Sequence, residues 1–509
     1  MWIALLTLAC KDDTFSQDAA SDTGSAAYYG GDADEAADSG GWGGDGGDGG
    51  DGGADMADTG DASEPEEDPT DTADTAEPPC EPAEPQLLWV SPDDSNSMSS
   101  ATQIREAVLG GSLNLNQVQV RDYELMNYYD LGYPEPSDAP VGLDMELVQD
   151  GDRYRLQVGV TAPAITHAER APMNVVLVLD TSGSMSGEPI DLLREVSLEI
   201  AGQLQEGDVV SVNEWSSSSS VVLKEHMVSG PSDADLVDAL SALESGGGTD
   251  LAGGLSVGYD LAAQQYADDR INRVVLVSDG GANLGVTSEE LIGEMAGDEN
   301  AVGIYLVGVG VGDATSYDDK LMDEVTDLGK GASVFVADSG DVEAFFGDRF
   351  LELMDVAARN VEVAVELPGG FEIVRTSAEE VSTERSEVPP QHLAPGASMV
   401  THSLLEHCDA DALAMDEQVS VTVSWQDPWT LESSMLSYDA TLEELLALPA
   451  SASLTKGAAI VAYADAIREV RSTSSRELLG EALDRIGTAE ADNPGDAELA
   501  EMRAILEAL

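Results

Sequence analysis

The chain reads as an α/β protein built on a doubly wound, mainly parallel sheet. Three observations predict this. Between residues 172 and 358, short β-branched runs alternate with segments of helical period, as in parallel sheets covered by helices on both faces. Two of the runs, 175–179 and 274–277, are apolar at every position, the pattern of strands buried on both faces. The first of these stops abruptly in Asp180-Thr181-Ser182-Gly183-Ser184. A buried strand thus delivers one carboxylate and two hydroxyls to its carboxyl end, the edge where open α/β sheets bind ligands.

At 509 residues the chain is too long for one hydrophobic core. It carries 22 Lys and Arg against 99 Asp and Glu, a net charge of −77. Such a balance excludes nucleic acid as a partner and leaves no basic face for an anionic membrane surface. It suits a protein kept soluble in a salty or cation-rich medium. The three cysteines, Cys10, Cys80 and Cys408, form no CxxC pair, so a zinc site is not expected. No apolar run reaches the roughly 20 residues of a membrane helix.

Taken in order, residues 1–10 are an apolar stretch ending in Leu6-Thr7-Leu8-Ala9-Cys10. This resembles the end of a bacterial lipoprotein signal peptide, which implies lipidation of Cys10. The stretch departs from that pattern: it is short, has no basic start, and puts Leu6 four residues before the cysteine. A start site upstream of Met1 would account for the first two departures. A non-lipidated export signal and a plain apolar start are the alternatives. Residues 11–85 are an acidic linker of Asp, Gly, Ala, Ser, Thr and Pro, with no Lys or Arg between Lys11 and Arg105. Low hydrophobicity and charge of one sign make it disordered and extended, a tether between an anchor and a folded body. Its Asp-Gly repeats lack the register of a calcium loop.

Residues 86–171 form a small α+β region, with helices expected near 99–108 and 118–129 and a hairpin turning at Asp150-Gly151-Asp152. In 172–358, strands are expected at 175–179, 209–212, 274–277, 301–309 and 334–336. Helices are expected at 190–204, 236–243, 255–266, 289–296, 321–328 and 342–358. Residues 359–509 begin with alternating strands around 361–367 and 419–425 and turn helical from Leu454. This last region reads as a β-rich module with packing helices. Cys408 pairs with Cys80 or stays a thiol; the sequence leaves both open.

Three loops of the central domain offer oxygen. They are Asp180 to Ser184, Gly246-Gly247-Gly248-Thr249-Asp250, and Ser278-Asp279-Gly280-Gly281. Together they present Asp180, Ser182, Ser184, Thr249 and Asp279, a hard-oxygen set suited to Mg²⁺ or another divalent cation such as Mn²⁺ or Ca²⁺. This constellation resembles the von Willebrand factor A domain and its metal-ion-dependent adhesion site. The intact Asp-x-Ser-x-Ser, the isolated Thr249 and the later Asp279-Gly280 agree in order and spacing. The resemblance implies direct metal contacts from Ser182, Ser184 and Thr249, with Asp180 and Asp279 binding directly or through water. Asn127-Tyr128-Tyr129, Tyr133-Pro134 and the stretch from Ile271-Asn272-Arg273-Val274 to Val286 are similar to a bacterial subfamily with companion regions on both sides of the domain. Its members are often predicted lipoproteins of poorly defined role.

The resemblance therefore implies a metal-dependent, adhesion-type protein of the cell envelope, on the outer membrane or cell surface. Its partner would be a protein with an exposed Asp or Glu, and it would touch membrane only through a lipid anchor. The alternatives are a structural envelope protein whose metal stabilises the fold, and a serine hydrolase. The latter rests on Gly254-Leu255-Ser256-Val257-Gly258, but a glycine loop precedes this motif where a hydrolase needs a strand-to-helix elbow. His402, Glu406 and His407 lack metalloprotease spacing, and there is no phosphate-binding Gly-Lys loop. No enzymatic activity is expected.

Overall fold

The computed structural model describes residues 84–92, 96–110, 114–137, 139–280, 303–312, 317, 319–409 and 413–509. Cys10, Cys80, nearly all of the acidic linker and the helix expected at 289–296 lie outside these residues. The described chain opens with a strand, Gln86–Ser91 (β1), then helices Ser99–Arg105 (α1) and Asp122–Tyr128 (α2). The expected helix from 118 is shorter at its start because Val118 and Val120 are both buried in extended chain, a period of two rather than 3.6. A hairpin follows, Gly142–Asp150 (β2) and Arg153–Thr161 (β3). Asp150 faces Arg153 across a two-residue turn, with Gly151 at φ +70°.

The central domain runs Met173–Asp180 (β4), Glu188–Gln203 (α3), Val209–Trp215 (β5), Ser219–Met227 (β6), Ala234–Ser241 (α4), Leu251–Gln264 (α5) and Ile271–Ser278 (β7). It continues with Ile304–Val311 (β8), Asp319–Gly329 (α6), Ser333–Val336 (β9), Ser339–Val342 (α7) and Phe350–Met354 (α8). The sheet order is β6-β5-β4-β7-β8-β9. Every pairing is parallel except that of β6 with β5. β6 escapes a reading by hydrophobic pattern because it is a largely exposed, Ser-rich edge strand. All eight residues of β4 are buried. Val175, Leu177 and Leu179 join the core beneath α3 and α4, and Val176 and Val178 the core beneath α5 and α6. Each such side chain contributes about 1.5–3 kcal/mol by leaving water.

The helix expected over 342–358 is broken. A π-helical turn, Glu343–Asp348, separates α7 from α8. Phe345, Phe346 and Phe350 enter the core across this widened turn.

The remaining strands are Ala358–Leu367 (β10), Phe371–Thr376 (β11), Glu380–Ser382 (β12), Gln391–Leu393 (β13), Ser398–His407 (β14), Gln418–Gln426 (β15) and Ser433–Thr441 (β16). Helices Leu442–Leu446 (α9), Ala452–Thr473 (α10), Leu478–Asp492 (α11) and Ala497–Ala508 (α12) end the chain. The two regions flanking the central domain fold together. One antiparallel sheet is β11-β14-β3-β2 and the other is β12-β1-β10-β15-β16, so each mixes strands from both flanks. Their inner faces share a core that includes Leu147, Leu156, Val363, Val365 and Val421. The central domain is thus an insertion between β3 and β10. The early helices likewise pack on the late ones, Leu125 and Met126 meeting Tyr463, Ile467 and Met502 in one core. Asp122 of α2 accepts from Arg375 at 2.8 Å and from Arg468 at 2.8 Å, pinning β11 and α10 to the early segment.

Two histidines are buried neutral in this body. His402 Nδ1 lies 2.7 Å from Gln157 Oε1, and its Nε2 lies 3.3 Å from Arg155 Nη1. Burial, reinforced by Arg155, holds its pKa down to about 3. Burial also holds His392 well below the ordinary histidine value. Both protonate near pH 6.5 when unfolded, so the unfolded chain binds more protons at acid pH. Stability is therefore full above about pH 6.5 and falls as pH drops toward 3, by up to ~1.4 kcal/mol per pH unit for each histidine. Urea unfolding at a series of pH values is expected to show a shallower acid slope in His402→Gln than in the parent.

Candidate metal centre

The parallel register assembles the site. Asp180, the last residue of β4, pairs with Trp215 of β5, while Leu179 pairs with Val277 of β7. Ser278 and Asp279 therefore arrive beside Asp180 at the carboxyl edge of the sheet. Asp180 Oδ2 accepts from Ser278 Oγ at 2.7 Å, and Oδ1 accepts from the Ser182 amide at 2.8 Å. Ser182 Oγ and Ser184 Oγ are 2.9 Å apart, and Ser184 Oγ donates to Asp279 Oδ1 at 3.2 Å. The structure brings four of the expected residues, Asp180, Ser182, Ser184 and Asp279, into one hydrogen-bonded cluster.

Thr249 comes from the glycine loop, which docks on the same edge through its backbone. The Gly246 amide donates to Thr181 O at 2.7 Å, and the Gly183 amide to Gly247 O at 3.3 Å. The Gly248 amide donates to Ser217 Oγ at 2.6 Å and the Asp250 amide to Ser216 O at 2.7 Å. Gly247 has φ +98°, and a Cβ there would stand 3.0 Å from Ser216 Oγ, so glycine is required for this approach. Thr249 is half-buried and its side chain makes no hydrogen bond among the described residues. Asp250 caps α5, its carboxylate accepting from the Gly253 amide at 3.1 Å. Sequence reading alone missed the part played by Ser278; its position immediately before Asp279 at a strand end was the available signal.

The electrostatics fit a cation. Asp180 is fully buried, and both hydrogen bonds to its carboxylate described above come from neutral groups. It makes no ion pair among the described residues. Burial raises its pKa, with Asp279 adding to the rise, while hydrogen bonds from Ser278 and Ser182 oppose it. A buried carboxylate without a cationic partner is costly unless a metal completes it. The donors here are carboxylate and hydroxyl oxygens only, the chemistry Mg²⁺ prefers. Ser184 is exposed, so the cluster opens to solvent.

Other candidates have different roles. Ser256 lies in the second turn of α5, not on an elbow. The surrounding glycines are packing devices: a Cβ at Gly254 would stand 2.6 Å from Trp215 Cγ, and one at Gly258 2.4 Å from Val178 Cγ2. Spaced four apart on one face, they let α5 lie close on the sheet. His402 is occupied as described, His407 Nδ1 sits 2.8 Å from Asp409 O, and Glu406 pairs with Arg153, so these three hold no common metal. His226, Asp233 and Asp235 also come together, but Asp233 caps α4 and already accepts from His226, Ser229, Asp235 and Leu236.

Residues 174–348 match the von Willebrand factor type A domain family. The central domain, the A domain, is thus similar to that family over nearly its whole length. It is 25% identical over 259 residues to the uncharacterized protein YfbK of Escherichia coli (strain K12), covering 48% of this chain and 44% of that one. It is 26% identical over 240 residues to the uncharacterized protein sll0103 of Synechocystis, covering 47% of this chain and 55% of that one. The matched part thus spans about half the length of these relatives. Among solved structures, a von Willebrand factor type A protein from Catenulispora acidiphila aligns with TM-score 0.48 at 16% identity, covering 72% of this chain and 89% of that one.

Gly258→Val is expected to destabilise the A domain by about 1–3 kcal/mol through overpacking against Val178, whereas Ser256→Ala is expected to change stability by less than ~0.5 kcal/mol. Thermal and urea unfolding of the two variants compare these directly.

Proposed function

We propose that this protein binds a divalent cation, Mg²⁺ or a chemically similar ion such as Mn²⁺ or Ca²⁺, through Asp180, Ser182, Ser184, Thr249 and Asp279. Through that ion it would hold a partner protein by an exposed Asp or Glu. The observation that carries this reading is the buried Asp180 carboxylate, set among hydroxyls and Asp279 with no ion pair among the described residues. A bound ion supplies a Lewis-acidic centre whose shell a partner carboxylate can complete. Three of the five residues are neutral hydroxyls, which leaves more of the ion's charge for that carboxylate than a cage of acids would. The exposure of Ser184 favours this over an ion that only braces the fold. Long-range repulsion between a chain of net charge −77 and an acidic partner is screened beyond ~8 Å at physiological salt, while attraction at the ion is short-ranged. The role is binding rather than catalysis, since the one hydrolase-like serine lies within a helix.

We place the protein at the cell envelope, on the outer membrane or cell surface, tethered through lipid on Cys10 and the acidic linker. Cys408 is disulfide-bonded, which fits an oxidising compartment outside the cytosol. The lipoprotein-like ending at Ala9-Cys10 supports the anchor.

Calorimetric titration with Mg²⁺ is expected to show one saturable site in the parent and at least tenfold weaker binding in Asp180→Ala, with the domain still folded by circular dichroism. Equal affinity in the variant would remove the metal assignment. Pull-downs from envelope extracts are expected to lose their partner on chelation more than on raising salt; the reverse order would favour plain electrostatics. Cys10→Ser is expected to move the protein from the membrane to the soluble fraction, and retention there would argue against a lipid anchor.

A further inference from the structure

The edge of the A-domain sheet opposite the metal centre carries a second polar site, built from cations. Arg273, near the start of β7, is only 4% exposed, and its guanidinium carbon stands 4.8 Å from the Tyr305 ring centroid. Arg359, near the start of β10 in the sandwich, approaches the same ring at 5.6 Å. The Nε atoms of both arginines are buried without a hydrogen-bond partner. Neither guanidinium makes an ion pair among the described residues. Arg273 Nη1 donates only at long range, to Asn272 O at 3.5 Å.

Both arginines line a pocket of ≈60 Å³ between the A domain and the sandwich, with Arg270 and Tyr266 on one side and Trp429 on the other. That is room for several waters or one small ion. Arg270 is committed to backbone, Nη1 donating to Met173 O at 3.1 Å and to Gly207 O at 2.9 Å. Among the described residues, the carboxylates here are Asp268, which is exposed, and Asp355, which accepts from the Val356 amide at 2.8 Å and ion-pairs with neither arginine. His392 stacks edge-on against Tyr305 at 4.7 Å with its Nε2 unpartnered, and Lys330 adds positive field to it. In a chain of net charge −77, cations outnumber acids among the described residues of this pocket.

Buried guanidiniums are ordinarily satisfied by bidentate acceptors. Burial pulls Arg273 down to about 10, with Tyr305 and Asp355 only partly opposing it and Arg359 adding to the fall. We propose that this pocket binds a small oxyanion, with the acceptor chemistry shared by phosphate and carboxylate, held between the guanidiniums of Arg273 and Arg359. The anion bridges the A domain to the sandwich, because each contributes one arginine. The A domain would then have a cation site at one sheet edge and an anion site at the other.

The test uses the full chain with EDTA present, so that phosphate cannot report on the metal centre. Thermal unfolding is followed against sodium phosphate and, separately, sodium acetate, at ionic strength held constant with chloride. A saturable rise in midpoint with either anion is expected, since a ligand specific to the native state stabilises it. A rise with phosphate assigns an inorganic oxyanion, and a rise with acetate alone assigns a carboxylate. In Arg359→Met, which alters a half-buried position, the apparent affinity is expected to fall about tenfold or more, the loss of one charge-assisted pair. Phosphorus NMR linewidths of the parent give a second reading that does not depend on any variant folding. No rise in midpoint with either anion together with no phosphorus line broadening, or an unchanged rise in Arg359→Met, would overturn the proposal.

Discussion

The hydrogen bond from Ser278 Oγ to Asp180 Oδ2, 2.7 Å long, joins the ends of the two central strands, and the candidate metal centre depends on it. It exists because β4 and β7 are parallel neighbours in a register that brings their last residues side by side. That register in turn rests on strands buried on both faces, where a slip by one residue would exchange the residues facing the two cores. Three loops then converge on one edge without any of them being long. Asp180 is thereby held buried and close to Asp279, an arrangement two carboxylates avoid without a cation.

The sandwich is the second organising feature. Its sheets draw strands from before and after the A domain, so neither flank completes a sheet alone. The A domain hangs from it as an insertion, entering after β3 and leaving before β10. Arg359, at the exit, lies against Tyr305 and near Gly303, which puts the sandwich at the amino edge of the parallel sheet. The carboxyl edge, with Ser184 exposed, faces away from it. The fold thus separates the attachment end of the domain from the end that carries the candidate metal site.

Much of the candidate metal centre is legible in sequence. Asp180, Ser182 and Ser184 sit within five residues, and a strand that ends in oxygens is a local pattern. Asp279 follows a second buried run. The supporting parts were less visible. Ser278 belongs to an oxygen-bearing loop, but its bond to Asp180 depends on strand register, and β6 shows no apolar alternation because an exposed edge strand needs none. Gly-x-Ser-x-Gly suggested chemistry, but Trp215 and Val178 are the reason for its glycines. The π-helical turn at 343–348 could not be seen either, since the pull of Phe345 and Phe346 into one core is a demand of packing.

The sequence by itself determined the α/β class, the parallel strands and the oxygen-bearing ends, because burial on both faces and strand termination are written in consecutive residues. The tertiary structure alone decided that the two flanks share one sandwich, that the glycine loop docks beside Asp180, and that Arg273 and Arg359 meet over Tyr305. These depend on pairings between residues far apart in the chain. Such pairings are selected by how whole faces pack and by which buried charges can be satisfied, and no local pattern encodes that choice.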